Sequence, residues 1–235
     1  MEAQPTDTAT TSSGGGTLLF CTSYVRDAQR WTARHRRWLD FHGAVPLTRT
    51  ATFVIDDASP FVPDEHDIAV LDALPPVLPD GYSTFFYRFA AHEGRIGLTG
   101  HRGWWRSFLF SLDIAETYGY DKIVHVESDA YVLSRALVDY LNGLASGWTA
   151  LWCPRYNFPE PALQAIHRDQ FPALRAVAAR GLDTLTRQLA ELVLPFTHIE
   201  RRLAGNRYGE WRRRIPGYAD YACQVNATMD VRYRP

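Results

Sequence analysis

The chain has 235 residues, of which 46 % are hydrophobic and 13 % aromatic, so wholesale disorder is excluded. This length fits one domain with at most a short appendage. No run of about 18 apolar residues occurs, so no transmembrane segment is predicted. The formal net charge of −1 gives no global field that would attract nucleic acid, and a single lysine, Lys122, nearly excludes lysine-dependent catalysis.

The first residues of the chain, 1–16, are polar and end in a run of glycines, which predicts a flexible tail. They contain no apolar signal-peptide core, so a cytoplasmic protein is expected. The three cysteines, Cys21, Cys153 and Cys223, are too scattered for a disulfide framework or a zinc cage.

Apolar runs that suit buried strands alternate with helical patterns from residue 17 onward. Strands are predicted over 17–25, 51–55, 84–89, 122–126 and 148–153. Helices are predicted over roughly 28–42, 103–118 and 134–143, with Asp27 and Ser134 as N-caps. This alternation predicts an α/β fold in which a mostly parallel, Rossmann-like central sheet is flanked by helices.

Two further segments are predicted from the positions of their proline and glycine residues. The proline-rich segment 60–79 is predicted to be a loop with one short helix around 65–73. The segment from about 160 to 193 is predicted to be mainly helical, with interruptions at Pro172 and Gly181.

Three of the predicted strands end in polar groups. These are Thr22-Ser23-Tyr24, Asp56-Asp57 and Glu127-Ser128-Asp129. Because parallel α/β sheets bind ligands beyond the carboxyl ends of their strands, the three groups are expected to line one crevice.

The pair Glu127 and Asp129 places two carboxylates, one residue apart, on the same side of a strand end. Hard oxygen ligands so placed suit Mg²⁺ or Mn²⁺, which often take substrate phosphates as further ligands. The alternative is an exposed turn after a strand.

The pair Asp56-Asp57 follows the second strand, where an acidic residue commonly binds ribose hydroxyls or a base edge. A helix cap or loop turn is the alternative. Thr22 and Tyr24 close the first strand and are candidates to bracket the base.

In order and spacing, these motifs resemble the GT-A class of nucleotide-sugar glycosyltransferases. The first strand ends in CTSYV, the second ends in IDDAS, and a long helix precedes KIVHVESDAYV, which is similar to the family's strand and D-x-D motif with Glu127 at the first position. The resemblance covers about 17–152 and implies a GT-A domain over 17–235. Residues 17–130 would form the nucleotide-sugar half and 131–235 the acceptor half.

The resemblance implies transfer of a sugar from a nucleotide-sugar donor, a UDP-sugar or alternatively a GDP-sugar, to a saccharide or lipid-linked saccharide acceptor. Mn²⁺ or Mg²⁺ is the implied cofactor. The implied setting is bacterial surface polysaccharide synthesis in the cytoplasm, with peripheral contact at the inner membrane face.

The resemblance also assigns roles to individual residues. Asp129 would coordinate the metal, while Glu127 would meet it directly, through water, or bind ribose. Ser128 and either Asp56 or Asp57 would contact the nucleotide. Arg102 and Arg106 would reach the diphosphate; the alternative is that they are ordinary solvent-exposed residues in the first turn of a helix. His198, late in the chain, would be a metal ligand; the alternative is a structural role.

The acceptor half carries weaker signals. The run RYNFPE, residues 155–160, combines aromatic and polar groups that suit sugar stacking and hydroxyl bonding. An inverting enzyme needs a carboxylate base near the acceptor hydroxyl, for which Glu160 is the first candidate and Asp220 the second. The arginine-rich segment 201–214 is predicted to be a solvated helix, a membrane-surface patch or a substitute for the metal through Arg201, Arg202 and Arg207.

Other functional classes fit less well. A sugar-nucleotide pyrophosphorylase needs a glycine-rich loop after its first strand and a catalytic lysine, and a dehydrogenase or serine hydrolase needs G-x-G-x-x-G or G-x-S-x-G motifs that are absent. A non-catalytic sugar- or nucleotide-binding relative of the glycosyltransferases stays the main alternative.

Overall fold

A computed structural model describes residues 15–97 and 100–235, so most of the predicted tail lies outside the described residues. Eight strands form the central sheet, in the order β3-β4-β2-β1-β5-β8-β7-β9. Their bounds are β1 (Thr17–Ser23), β2 (Ala51–Asp56), β3 (Ala69–Leu71), β4 (Thr84–Arg88), β5 (Lys122–Val126), β7 (Trp148–Cys153), β8 (Phe158–His167) and β9 (His198–Glu200). Strand β8 is antiparallel to both of its neighbours, and the other strands of the sheet run parallel to one another, which confirms the predicted sheet.

The helices are α1 (Ala28–Arg30), α2 (Arg37–Ala44), α3 (Arg102–Thr117), α4 (Arg135–Gly143), α5 (Phe171–Ala178), α6 (Leu182–Leu185) and α7 (Ala190–Val193). A π-helical turn, Trp31–Arg36, joins α1 to α2 without a break. Both predicted N-caps are confirmed, because Asp27 accepts a hydrogen bond from the Arg30 N–H and Ser134 accepts one from Leu137. None of the described helices combines the length and apolarity needed to cross a membrane.

The continuous apolar character of β1 follows from helices on both faces of the sheet. Leu19 and Cys21 pack with α2 and α4 on one face, whereas Leu18 and Phe20 pack with α3 and α5 on the other. Because both faces of a central parallel strand are buried, its sequence shows no alternation.

A smaller sheet lies beyond the carboxyl end of β5. It consists of β10 (Gly205–Asn206), β11 (Tyr221–Ala222) and β6 (Tyr131–Val132), in that order. Since β6 begins two residues after Asp129, this sheet holds the chain segment that leaves the Glu127-Ser128-Asp129 turn.

The helix predicted from residue 160 onward is wrong at its start, because Phe158–His167 is strand β8. Prolines at 159 and 161 disfavour a helix there. Within the sheet they are accommodated by a bulge, where the β7–β8 register shifts between Ala150 and Leu151. The carbonyl of Pro161 accepts hydrogen bonds from His125 and Gln164 instead of joining the ladder.

Two other predicted helices are also absent from the described chain. The segment around 65–73 contains edge strand β3, paired in parallel with β4. The arginine-rich segment 201–214 contains β10 and a short 3₁₀ turn, Tyr208–Glu210, but no α-helix. In both segments strand pairing outweighs local helical patterning.

Candidate active site

The candidate site lies where the sheet order reverses. Strands β2 and β4 lie on one side of β1, and β5 lies on the other, so the predicted ligand crevice corresponds to the region beyond the carboxyl ends of β1 and β5. Phe20 pairs with His125 in the parallel register. Thr22 and Glu127 each follow two residues later, so the register sets them side by side. The structure thus brings these two strand ends together, as the sequence predicts.

Glu127 is the hydrogen-bonding centre of this crevice. Its carboxylate accepts from the Thr22 hydroxyl at 2.9 and 3.1 Å, from His125 Nε2 at 3.1 Å and from the Trp104 indole N–H. Burial would raise the pKa of Glu127, but the charge of His125 and these hydrogen bonds together lower it. Glu127 is therefore held ionised and rigid.

His125 is buried beneath Glu127 and stacks on Phe20 with a ring-centroid distance of 4.6 Å. Its Nε2 faces the Glu127 carboxylate, and its Nδ1 lies 3.0 Å from the Pro161 carbonyl oxygen. The Gln164 amide nitrogen also lies 3.4 Å from Nδ1. Glu127 and His125 are therefore a buried hydrogen-bonded pair at the end of β5.

Ser128 and Asp129 form the tip of a turn closed by a 2.7 Å hydrogen bond from the Ala130 N–H to the Glu127 carbonyl. Arg34, in the π-helical turn, donates from Nε to Ser128 Oγ at 2.7 Å and from a terminal nitrogen to Asp129 Oδ2 at 3.0 Å. Burial raises the pKa of Asp129, while the charge of Arg34 opposes that rise. The turn is therefore paired with a positively charged side chain, Arg34, which comes from a distant part of the sequence.

The π-helical turn that presents Arg34 is fixed by its buried face. Trp31 donates from its indole nitrogen to Glu65 at 2.6 Å and stacks on His35 with an interplanar angle of 3°. Burial, with a further contribution from Arg34, lowers the pKa of His35 to about 3, so this ring is neutral. Such π turns often mark functional positions within helices.

The predicted metal-ligand set is not brought together. His198 lies on β9, three strands away from β5, which corresponds to a lateral separation of about 14 Å. Its nearest acidic partner is Glu200, at 3.7 Å. Within residues 15–97 and 100–235 no group of three or more His, Cys, Asp or Glu side chains could hold a metal ion. The prediction for His198 is therefore corrected.

Glu127 and Asp129, the predicted pair of metal ligands, are each engaged with protein partners. The Thr22 hydroxyl, which has a single hydrogen, lies 3.1 Å from Oε1 and 2.9 Å from Oε2 of Glu127, and Trp104 and His125 also contact Oε1. Asp129 is paired through Oδ2 with Arg34. The role of this pair as metal ligands stays a prediction.

Asp56 is fully buried rather than open to the crevice. Its oxygens accept from the Ser59 N–H at 2.7 Å and the Ser59 hydroxyl at 2.5 Å, and burial raises its pKa. Both oxygens of Asp56 thus stabilise the turn that follows β2, as in the alternative of a loop turn, and its role as a ribose ligand stays a prediction.

Asp57 holds a neighbouring loop. It pairs with Arg106 and His92 and accepts from the Gly94 N–H at 2.8 Å. Tyr24, by contrast, is 43 % exposed and stacks on His92 with centroids 4.2 Å apart. Tyr24 therefore presents an open aromatic ring beside the crevice, and its role with the base stays a prediction.

Gly103, in the first turn of α3, allows Asp57 to approach this closely. A Cβ at Gly103 would lie 2.1 Å from Asp57 Oδ2, on a side chain that is 5 % exposed. Gly103→Ala is expected to lower the free energy of unfolding by about 1–3 kcal/mol through overpacking, as measured by chemical denaturation. Gly43→Ala is the control, because a Cβ there meets nothing within 4 Å. Equal midpoints for the two variants would contradict this account.

Arg102 and Arg106, predicted to reach the diphosphate, are engaged elsewhere. Arg102 bridges Glu93 and Asp183. Arg106 pairs with Asp57, and its guanidinium lies 4.0 Å from the centroid of the Phe89 ring. Both arginines fasten the loop before α3 at the rim of the crevice.

The two predicted catalytic bases are both hydrogen-bonded to other parts of the chain. Glu160 is fully buried, with Arg207 donating to both carboxylate oxygens at 2.6 and 3.0 Å. Asp220 accepts from the Ser134 hydroxyl at 2.6 Å and the Ala204 N–H at 2.7 Å, which links the small sheet to α4. A role as catalytic base stays a prediction for each of them.

An arginine–aromatic stack extends outward from Arg207. It comprises, in order, Phe158, Arg207, Tyr156, Arg155, Trp211 and Arg212. Each guanidinium carbon lies 4.3–5.4 Å from the centroid of the adjacent ring, within cation–π range. The charge of Arg207 opposes the rise in the pKa of Asp129, so the stack begins near the crevice. The run 155–160 signals it in the sequence.

Three contributors were not identified from the sequence. Trp104 and His125 both bind Glu127, and Arg34 binds a serine 94 residues away. A histidine two residues before Glu127 on a buried strand was the one available signal, because same-face spacing places the two side chains together. Nothing local to Arg34 indicates its partner.

The chain is similar in structure to a known protein. No known protein-family profile and no curated protein sequence matches the chain. A solved structure, described as the crystal structure of a glycosyltransferase involved in the glycosylation of the major capsid of PBCV-1, is similar over 89 % of this chain and 93 % of its own, with a TM-score of 0.41 and 10 % identity.

Proposed function

We propose that this protein is a GT-A-type glycosyltransferase whose crevice at the ends of β1 and β5 binds a nucleotide sugar. The observation that supports this most is the Glu127-Ser128-Asp129 turn, held rigidly beside Thr22 and combined with the cation of Arg34. A carboxylate-and-guanidinium site at the switch point of a parallel sheet suits ribose hydroxyls and a diphosphate. A UDP-sugar is the proposed donor.

The proposed reaction breaks the bond between the sugar C1 and the diphosphate oxygen, and the electron pair leaves with the nucleoside diphosphate. An acceptor hydroxyl oxygen forms the new bond to C1 and gives up its proton to water or a base. Negative charge grows on the departing diphosphate, so a preorganised cation beside it lowers the barrier. In the described chain Arg34 is such a cation. Dependence on Mn²⁺ or Mg²⁺ stays a prediction.

The arginine–aromatic stack is proposed to bind the acceptor. Trp211 is 40 % and Tyr156 42 % exposed, so both rings keep exposed apolar surface for contact with a sugar. Arg155 and Arg212 add charges that suit the phosphate of a lipid-linked saccharide. The exposed arginines 213 and 214 extend this surface and support the proposal of peripheral contact with an anionic inner membrane in bacterial polysaccharide synthesis.

Trp211→Ala is expected to raise the KM for the acceptor about tenfold with kcat less affected, because a lost anchoring aromatic costs on the order of 1 kcal/mol or more. Initial rates at varied acceptor concentration measure this. Tyr82→Ala is the control, since Tyr82 is 41 % exposed but lies outside the stack. An unchanged acceptor KM in Trp211→Ala would move the acceptor site elsewhere.

One observation favours a second candidate, a non-catalytic nucleotide-sugar-binding protein. Glu160 and Asp220, the two candidate bases, are both occupied by structural partners. The test is a panel of UDP-, GDP- and CMP-sugars offered with saccharide acceptors, measuring release of free nucleotide and formation of the glycosylated product. Acceptor-dependent release with one donor supports a transferase. Binding without turnover across the panel supports the second candidate.

A further inference from the structure

Arg34 occupies the position at which a cation would meet the Glu127-Ser128-Asp129 turn. A guanidinium has five N–H donors, and Arg34 uses one on Ser128 Oγ and one on Asp129 Oδ2. Among the contacts of the described residues, its other N–H groups have no protein acceptor. The side chain is 49 % exposed, so these groups face solvent while two contacts fix its orientation.

Arg34 already pairs with Asp129 at the tip of the turn, at a distance of 3.0 Å. A divalent ion bound to Asp129 would therefore lie beside this guanidinium. Like charges at such a distance repel, so Arg34 and a divalent ion compete for the same turn.

We infer that Arg34 is the resident cation of this turn and binds the diphosphate of the donor directly, so that the crevice takes nucleoside diphosphates without a divalent ion. A guanidinium presents paired N–H donors that match phosphate oxygens, and the π-helical turn anchored by Trp31 holds it in place. This inference rests on the proposed function, since it requires a nucleotide ligand.

The experiment measures binding of UDP, of GDP and of uridine by isothermal titration calorimetry, each with EDTA and with Mn²⁺. Arg34→Gln is compared with the wild-type protein, and Arg34→Lys tests whether charge without the planar fork suffices. Arg30→Gln is the matched control, because Arg30 lies on the same helical segment, is 64 % exposed and pairs only with Asp27. Circular dichroism and Tm confirm that each variant is folded.

The wild-type Kd for the nucleoside diphosphate is expected to be the same in EDTA and in Mn²⁺. Arg34→Gln should weaken diphosphate binding about ten- to hundredfold, as for a lost charge-assisted hydrogen bond, while uridine binding stays unchanged. The Kd of Arg34→Lys for the diphosphate should lie between those of the wild type and Arg34→Gln. The Kd of Arg30→Gln should equal that of the wild type. Diphosphate binding that requires Mn²⁺, or that survives Arg34→Gln, overturns the inference alone. Absence of diphosphate binding to the wild-type protein with or without Mn²⁺ overturns the proposed function as well.

Discussion

Arg207→Ala is expected to lower the free energy of unfolding by about 3–5 kcal/mol, because it leaves the buried charge of Glu160 without a partner. Arg207 donates to both oxygens of Glu160, whose side chain is 1 % exposed, and also pairs with Glu191 at 2.8 Å. Chemical denaturation at neutral pH measures the loss. Arg135→Ala is the control, since the Arg135–Asp139 pair is exposed and should contribute no more than about 0.5 kcal/mol.

The penalty in Arg207→Ala should depend on pH. Burial raises the pKa of Glu160 above its usual value even against the opposing hydrogen bonds and charge of Arg207, and without Arg207 the hydrogen bond from the Ala162 N–H is left to oppose that rise. A carboxyl whose pKa is raised in the folded state binds its proton more tightly when the protein is folded. The loss of stability in Arg207→Ala is therefore largest above the folded-state pKa of Glu160 and becomes smaller as the pH falls through that pKa.

Neutralising Glu160 in the Arg207→Ala variant is a second test of the same pair. Adding Glu160→Gln to Arg207→Ala should recover part of the lost stability at neutral pH, because a neutral amide costs less to bury than a carboxylate. If Arg207→Ala unfolds at the same denaturant concentration as Arg135→Ala, the buried Arg207–Glu160 pair contributes no more to stability than an exposed pair.

Glu127→Ala is expected to cost a similar amount, about 3–5 kcal/mol, and also to abolish nucleotide binding. It leaves the buried His125 ring and the Thr22 and Trp104 donors without their shared acceptor. Glu127→Gln keeps the shape of the side chain, so its stability should lie between those of Glu127→Ala and the wild type. Differential scanning calorimetry gives the stability, and titration with UDP gives the binding.

The contribution of Glu127 to stability should also vary with pH, with the opposite sign to that of Glu160. Because its folded-state pKa is lowered, its stabilisation is complete above the ordinary glutamate pKa and is lost as the pH falls through the lowered value. Glu116→Ala is the control, since Glu116 forms an exposed pair with Arg175. Equal stability of Glu127→Ala and Glu116→Ala would show that Glu127 is not the centre of the site.

The sheet and the convergence of its strand ends were predictable because they depend on local pattern and order. Apolar runs such as 17–23 and 122–126 mark buried parallel strands, and parallel strands bring their polar ends to one edge. Residue types at those ends therefore indicated the crevice before any contact was known.

The partners of the acidic residues were not predictable, since they arise from distant parts of the chain. Arg34 meets Asp129 across 95 residues, and Arg207 meets Glu160 across 47. Glu160 was predicted to be the catalytic base, whereas strand β8 buries its side chain. An acidic side chain in a sequence does not show whether its charge is free or already neutralised by a neighbour.

Hydrogen–deuterium exchange of the wild-type protein with and without saturating UDP tests the central claim most directly, because it locates the ligand as well as detecting it. The account predicts slower exchange in peptides that cover 17–25, 31–36 and 122–133, where β1, the Arg34 turn and the Glu127-Ser128-Asp129 turn meet. Peptides that cover β3 and β9 at the two edges of the sheet should be unchanged. Protection confined to other segments, or no protection with UDP or any nucleoside diphosphate, would contradict a nucleotide site at this crevice.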